Sequence, residues 1–95
     1  MSVKIESIKQ KILPILKEHR VKRAALFGSV VRGTATSKSD IDVLVEVPSG
    51  TSLFGFVQIK LDLEDALGRK VDLVEYETLK SGIKEKVMQD EVSIM

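Results

Sequence analysis

Two aspartates stand one residue apart in Ser39-Asp40-Ile41-Asp42-Val43, where an apolar run begins, and a third acid lies within Lys70-Val71-Asp72-Leu73-Val74. Side chains alternate along a strand, so Asp40 and Asp42 share one face about 6.6 Å apart along the backbone. Ile41, Val43 and Val45 then point the other way, into a core. Two carboxylates on one face repel and need a counter-charge. Arg32 or a lysine can supply it, but a hard divalent cation does so better. A donor set of oxygens, without His or Cys, selects Mg²⁺ or Mn²⁺ over zinc. If the strand carrying Asp72 lies beside the one carrying Asp42, three carboxylates meet. Such a cluster can hold two metal ions ~3.5–4 Å apart, the arrangement that stabilises the attacking and leaving oxygens of an in-line phosphoryl displacement.

The phosphate side of that chemistry is supplied by Leu26-Phe27-Gly28-Ser29-Val30-Val31-Arg32-Gly33. Gly28 lacks a Cβ, so a ligand can approach its backbone closely. Ser29 offers a hydroxyl and N–H groups at the start of a helical turn, a natural place for an anion. Arg32, one turn on, either touches phosphate or pins the loop onto a carboxylate. Each piece alone has a plainer reading: Asp-x-Asp before a strand also suits a turn or cap. Other phosphate motifs fail, because Gly33 is followed by Thr34 rather than Lys-Ser/Thr, and no Gly-x-Gly-x-x-Gly follows a strand.

The elements that must position these residues are legible in outline. Ser2 suits an N-cap, and Ile5, Ile8, Ile12, Leu13 and Leu16 fall on one helical face. Pro14 inside that pattern predicts a kink or break, with the helix resuming to about Glu18. His19 at its end reads as a surface residue, with no acid or nucleophile spaced to partner it. Ala24–Phe27 reads as a buried strand, residues 29–33 as a helical turn, Thr34–Ser39 as a polar loop and Ile41–Val47 as a second strand. Pro48-Ser49-Gly50-Thr51-Ser52 is a loop. Within the apolar-rich stretch Leu53–Leu67 the spacing from Phe56 on fits a helix closed by Gly68, Val71–Val74 a third strand, and Thr78–Met88 a last helix. Glu91–Met95 suits an edge strand or a tail. Tyr76, just past Asp72, is either packing or an exposed acceptor. The class is α/β or α+β, with a small mixed sheet of three to four strands flanked by helices.

Bulk properties narrow the function. Ninety-five residues with 43% hydrophobic content make one small folded domain. The absence of cysteine excludes disulfides and thiol nucleophiles. No apolar run approaches a membrane span or a signal-peptide h-region, so a cytoplasmic location is expected. A net charge of +1 argues against a dedicated nucleic-acid binder. Charge is uneven, with residues 1–23 basic and 62–95 acidic. These are either solvated helix faces or two docking surfaces.

Phe27-Gly28-Ser29-x-x-Arg32-Gly33, then Ser39-Asp40-Ile41-Asp42-Val43, then Leu67-Gly68-Arg69-Lys70-Val71-Asp72-Leu73-Val74, resembles the signature of the DNA polymerase beta-type nucleotidyltransferase superfamily. The likeness is to its minimal MNT-type branch and covers nearly the whole chain. The resemblance implies transfer of a nucleoside monophosphate, AMP from ATP, to a hydroxyl with release of pyrophosphate. It assigns Gly28 and Ser29 to the triphosphate; Arg32 and Ser39 stand as further candidates for nucleotide contact. It assigns Asp40 and Asp42 to both Mg²⁺ ions, and Asp72 to the acceptor-side metal and to deprotonation of the hydroxyl. It further implies a HEPN-type toxin as partner, with this chain as antitoxin modifying a toxin tyrosine. Two alternatives stand beside this: an antitoxin acting by contact alone, and a transferase with a small-molecule acceptor.

Overall fold

In the computed structural model, residues 5–33, 40–78 and 91–95 are described. Helix α1 (Ile5–Glu18) runs unbroken through Pro14. The proline deprives the Gln10 carbonyl of its helical donor, but Pro14 and Gln10 are both exposed, so water can take its place. Ile8, Ile12 and Leu16 are buried on both sides of it and hold the helix to the core. Ile15, rather than Leu13, adds to that contact. The helix closes with Arg20 in the left-handed region at φ 59°. The Val21 N–H donates to Leu16 O at 3.0 Å and the Arg20 N–H to Lys17 O at 3.0 Å, the paired bonds that satisfy the last carbonyls of a helix.

Four strands form one mixed sheet in the order β3-β2-β1-β4. They are β1 (Arg23–Phe27), β2 (Ile41–Glu46), β3 (Val71–Glu75) and β4 (Val92–Ser93). β1 runs antiparallel to β2 and to β4, whereas β2 and β3 are parallel. A parallel pair needs a crossover, and α3 (Leu53–Leu67) supplies it. Ser52 caps the start of α3 by accepting the Gly55 N–H at 3.1 Å. Gly68, at φ 64°, ends it as the sequence predicts. The short α2 (Ser29–Arg32) follows β1 directly. The tail resolves as an edge strand, with Ile94 buried and its N–H donating to Ala24 O at 3.0 Å.

The period-two alternation separates the two sheet faces. One face buries Ala24, Leu26, Ile41, Val43, Val45, Val71 and Leu73 against Ile8, Ile12 and Leu16 of α1 and Ile59 and Leu63 of α3. The other face carries a smaller cluster of Ala25, Leu44 and Tyr76, with Phe27 and Val74 packed on it. Asp42 and Asp72 belong to this second face, because their strand neighbours all point into the main core. The expected helix of residues 78–88 lies, apart from Thr78, outside the described residues, as do the Ser2 cap and the 34–39 loop. Thr78 itself ends a single 3₁₀ turn, Tyr76–Thr78.

Candidate active site

The site is built where β1 ends and β2 and β3 begin. Phe27, the last residue of β1, faces Asp42 across the antiparallel ladder. The chain then turns at Gly28 with φ +76°. A Cβ at this position would overlap Oδ2 of Asp42 and lie 3.1 Å from its Cγ. Glycine is therefore required here twice, by the backbone angle and by the carboxylate against it. The turn is held by Val31 N–H donating to Gly28 O at 3.1 Å and by Val30, buried in the core. Of Ser29 and Arg32 the described part is the α2 backbone, and Ser39 lies outside the described residues.

Asp42 and Asp72 are register partners in the parallel β2–β3 pair. Partners in a ladder share a face on strands about 4.8 Å apart, so the two carboxylates stand side by side. Asp42 is half-buried beneath the Gly28 turn, and Asp72 is exposed. Asp40 precedes β2 and is exposed, two residues from Asp42 at the open mouth of the sheet. Ile41 N–H donates to Lys70 O at 3.0 Å, joining the two strand entrances. Among the described residues, no three acidic or imidazole side chains converge on a single point; the pair held in register is Asp42 with Asp72.

A residue not singled out from the sequence braces this pair. Glu64 on α3 accepts the Val71 N–H through Oε2 at 2.9 Å, one residue before Asp72. That bond, more than the nearby Lys60 at 3.3 Å, holds the Glu64 carboxyl below its ordinary range. Nothing in the spacing of Glu64 announces this, since the contact depends on how α3 docks against β3.

Two other residues fall away from the site. His19 pairs with Asp62 of α3 at 2.8 Å, a partner 43 positions away. Asp62 also accepts from Gln58 Nε2 at 2.8 Å. The His19 bond is the main reason the Asp62 carboxyl is held below its ordinary range. This contact ties the end of α1 to α3. Tyr76 is buried, not an exposed acceptor. The Arg23 guanidinium lies 3.8 Å from its ring centroid, and its hydroxyl donates to Glu91 Oε2 at 3.4 Å. Burial, with Glu91 second, pushes the phenol upward.

Asp42 and Asp72 in register beneath a glycine turn make an oxygen-donor face suited to a hard cation and a phosphate. Comparison with known proteins gives the family. A sequence model of the nucleotidyltransferase domain matches residues 9–94. This chain belongs to the nucleotidyltransferase domain family. It is 42% identical over 91 residues to a Methanocaldococcus jannaschii protein classed with the protein adenylyltransferases, covering 96% of this chain and 98% of the relative. A solved structure classed as a minimal nucleotidyltransferase superposes with TM-score 0.82 at 32% identity, over 95% of each chain. A toxin-antitoxin crystal structure with AMP-PNP superposes with TM-score 0.80 at 25% identity, over 92% of this chain and 72% of the other. The nucleotidyltransferase is thus an α+β domain whose main core lies on the sheet face opposite Asp42 and Asp72. No described helix of this nucleotidyltransferase is long and apolar enough to cross a membrane.

Proposed function

We propose that this nucleotidyltransferase moves AMP from ATP to a tyrosine hydroxyl of a HEPN-type toxin, for which it is the cytoplasmic antitoxin. The observation that carries the reading is the in-register pair of Asp42 and Asp72, with Asp42 against the Gly28 turn. The likeness to a toxin-antitoxin structure holding AMP-PNP supports the nucleotide and the class of partner.

In this reading the acceptor oxygen attacks the α-phosphorus in line, and the bond from that phosphorus to the bridging oxygen of pyrophosphate breaks. The hydroxyl proton passes to the Asp72 carboxylate, which is exposed and so reachable by a protein acceptor. Pyrophosphate leaves with the electron pair of the broken bond. The Gly28–Ser29 backbone receives the triphosphate, with Arg32 and Ser39 as further contacts or braces. Asp40 and Asp42, joined by Asp72, are the residues that would hold two Mg²⁺ ions, with Mn²⁺ able to replace them. When bound, those ions neutralise charge on the attacking and leaving oxygens.

The test is incubation of the protein with Mg²⁺, labelled ATP and the product of the adjacent gene, followed by intact mass of both chains. AMP added to the partner, and absent with Asp42→Asn, is the expected result. A stable complex with no mass gain would replace catalysis by neutralisation through contact.

A further inference from the structure

Helix α3 satisfies the core with Ile59 and Leu63, assisted by Phe56 and Leu67. It nevertheless carries four more large apolar residues on its outer side. Leu53 is 78% exposed, Phe54 89%, Val57 40% and Leu61 50%, and the only other exposed large apolar residue among those described is Met95. Residues at spacings of three and four stack along one helix face. The four therefore form a single stripe about 12 Å long at a rise of ~1.5 Å per residue. Solvated apolar side chains gathered this way mark a contact surface, whereas scattered ones need no explanation.

The stripe does not end blindly. At Leu53 it runs into a groove of about 400 Å³ lined also by Phe56, Leu73, Val74, Glu75 and Thr78. Val74 is two residues beyond Asp72 on β3, hence on the same sheet face. β3 is the edge of the sheet. An apolar path thus leads from the back of α3, round the β3 edge, to the face that bears Asp72.

We infer that this path docks the acceptor protein through an apolar-faced helix with basic flanks. The inference rests on the proposed transfer to a protein hydroxyl and names the surface that reaction would use. The charge of the rim selects the occupant. Asp65 is exposed one turn beyond Leu61, and Glu75 lines the groove at the other end, with exposed Glu77 two residues further along the chain. A second copy of this chain packed antiparallel on the stripe would set Asp65 against Glu75 and Glu77, a like-charge contact that disfavours self-association. A basic-flanked helix meets no such repulsion. Its stripe-binding side chains fill the Leu53–Leu61 row while its end carries the hydroxyl toward Asp72.

The experiment uses the full chain, the adjacent gene product as acceptor, and the double variant Phe54→Ser/Leu61→Ser. Both side chains are exposed, so folding should be kept, which circular dichroism checks. The acceptor KM is expected to rise at least about tenfold with the ATP KM unchanged. Asp42→Asn is expected to bind the partner as tightly as wild type while transferring nothing, which separates docking from chemistry. An unchanged acceptor KM in the double variant, with wild type active, would overturn the docking surface and leave the transferase reading standing. A wild-type protein that neither binds nor modifies the partner would overturn both. A concentration-dependent dimer in sedimentation, lost in the double variant, would assign the stripe to a second copy and overturn the inference.

Discussion

The backbone of Gly28 lies so close to the Asp42 carboxylate that a single added methyl group would overlap Oδ2. The glycine and the aspartate therefore form one unit, in which the turn after β1 sets the position of a carboxylate on β2.

Gly28→Ala tests that unit. Alanine at φ +76° is strained, at about 1–3 kcal/mol, and its methyl displaces Asp42. Gly33 provides the control, because it has a similar φ of +77° with nothing within 4 Å of a built Cβ. Both alanine variants should lose stability. Only Gly28→Ala should also lose the proposed AMP transfer, by about a hundredfold or more, the scale of a misplaced reacting group. Thermal melts and initial rates of the two variants provide the comparison. Equal activity in both would mean that the contact with Asp42 has no catalytic consequence.

Acid should loosen the α3 contacts before the rest of the fold. Glu64 and Asp62 are both held below their ordinary values, Glu64 by the Val71 N–H and Asp62 by His19. A carboxyl with a depressed folded value binds protons more readily when unfolded. Its contribution is thus complete above the unfolded values, near 4.5 for Glu and 3.8 for Asp, and is lost as pH falls through the lower folded values. Urea midpoints of Glu64→Gln and Asp62→Asn should depend less on pH across that acid range than those of wild type. An acid dependence as steep as that of wild type in both variants would sink the assignment. Glu64→Gln should also slow transfer without changing the ATP KM, because the bond it weakens fixes the entrance of β3 next to Asp72.

Arg20 holds a left-handed conformation at the end of α1 that glycine adopts without cost. Arg20→Gly should stabilise the protein by about 0.5–1 kcal/mol, less whatever the looser unfolded chain returns. For a domain of this size that is a rise of several degrees in Tm, at about 4–8 °C per kcal/mol. AMP transfer should be unaffected, since Arg20 adjoins the Arg23 end of β1 and Asp42 pairs at the Phe27 end. A fall in Tm would show that the arginine side chain makes contacts worth more than the backbone relief.

Much of this protein is determined by its sequence alone. Strand periodicity sorts Ile41, Val43 and Val45 to the core and Asp42 to the opposite face, because alternation needs only neighbouring residues. The αL cap at Gly68 and the turn at Gly28 are equally local. Pro14 leaves the helix unbroken for a related reason: local propensity counts the lost hydrogen bond but not the burial of Ile8, Ile12 and Leu16 that outweighs it. Only the tertiary structure decides that β3 lies parallel to β2 with Asp72 opposite Asp42. Only it brings His19 to Asp62, sets Glu64 on the Val71 N–H, and buries Tyr76 under Arg23. Each of these joins elements distant along the chain or depends on how whole faces dock. Their free energy comes from packing those faces together, and no window of sequence contains both sides of the contact.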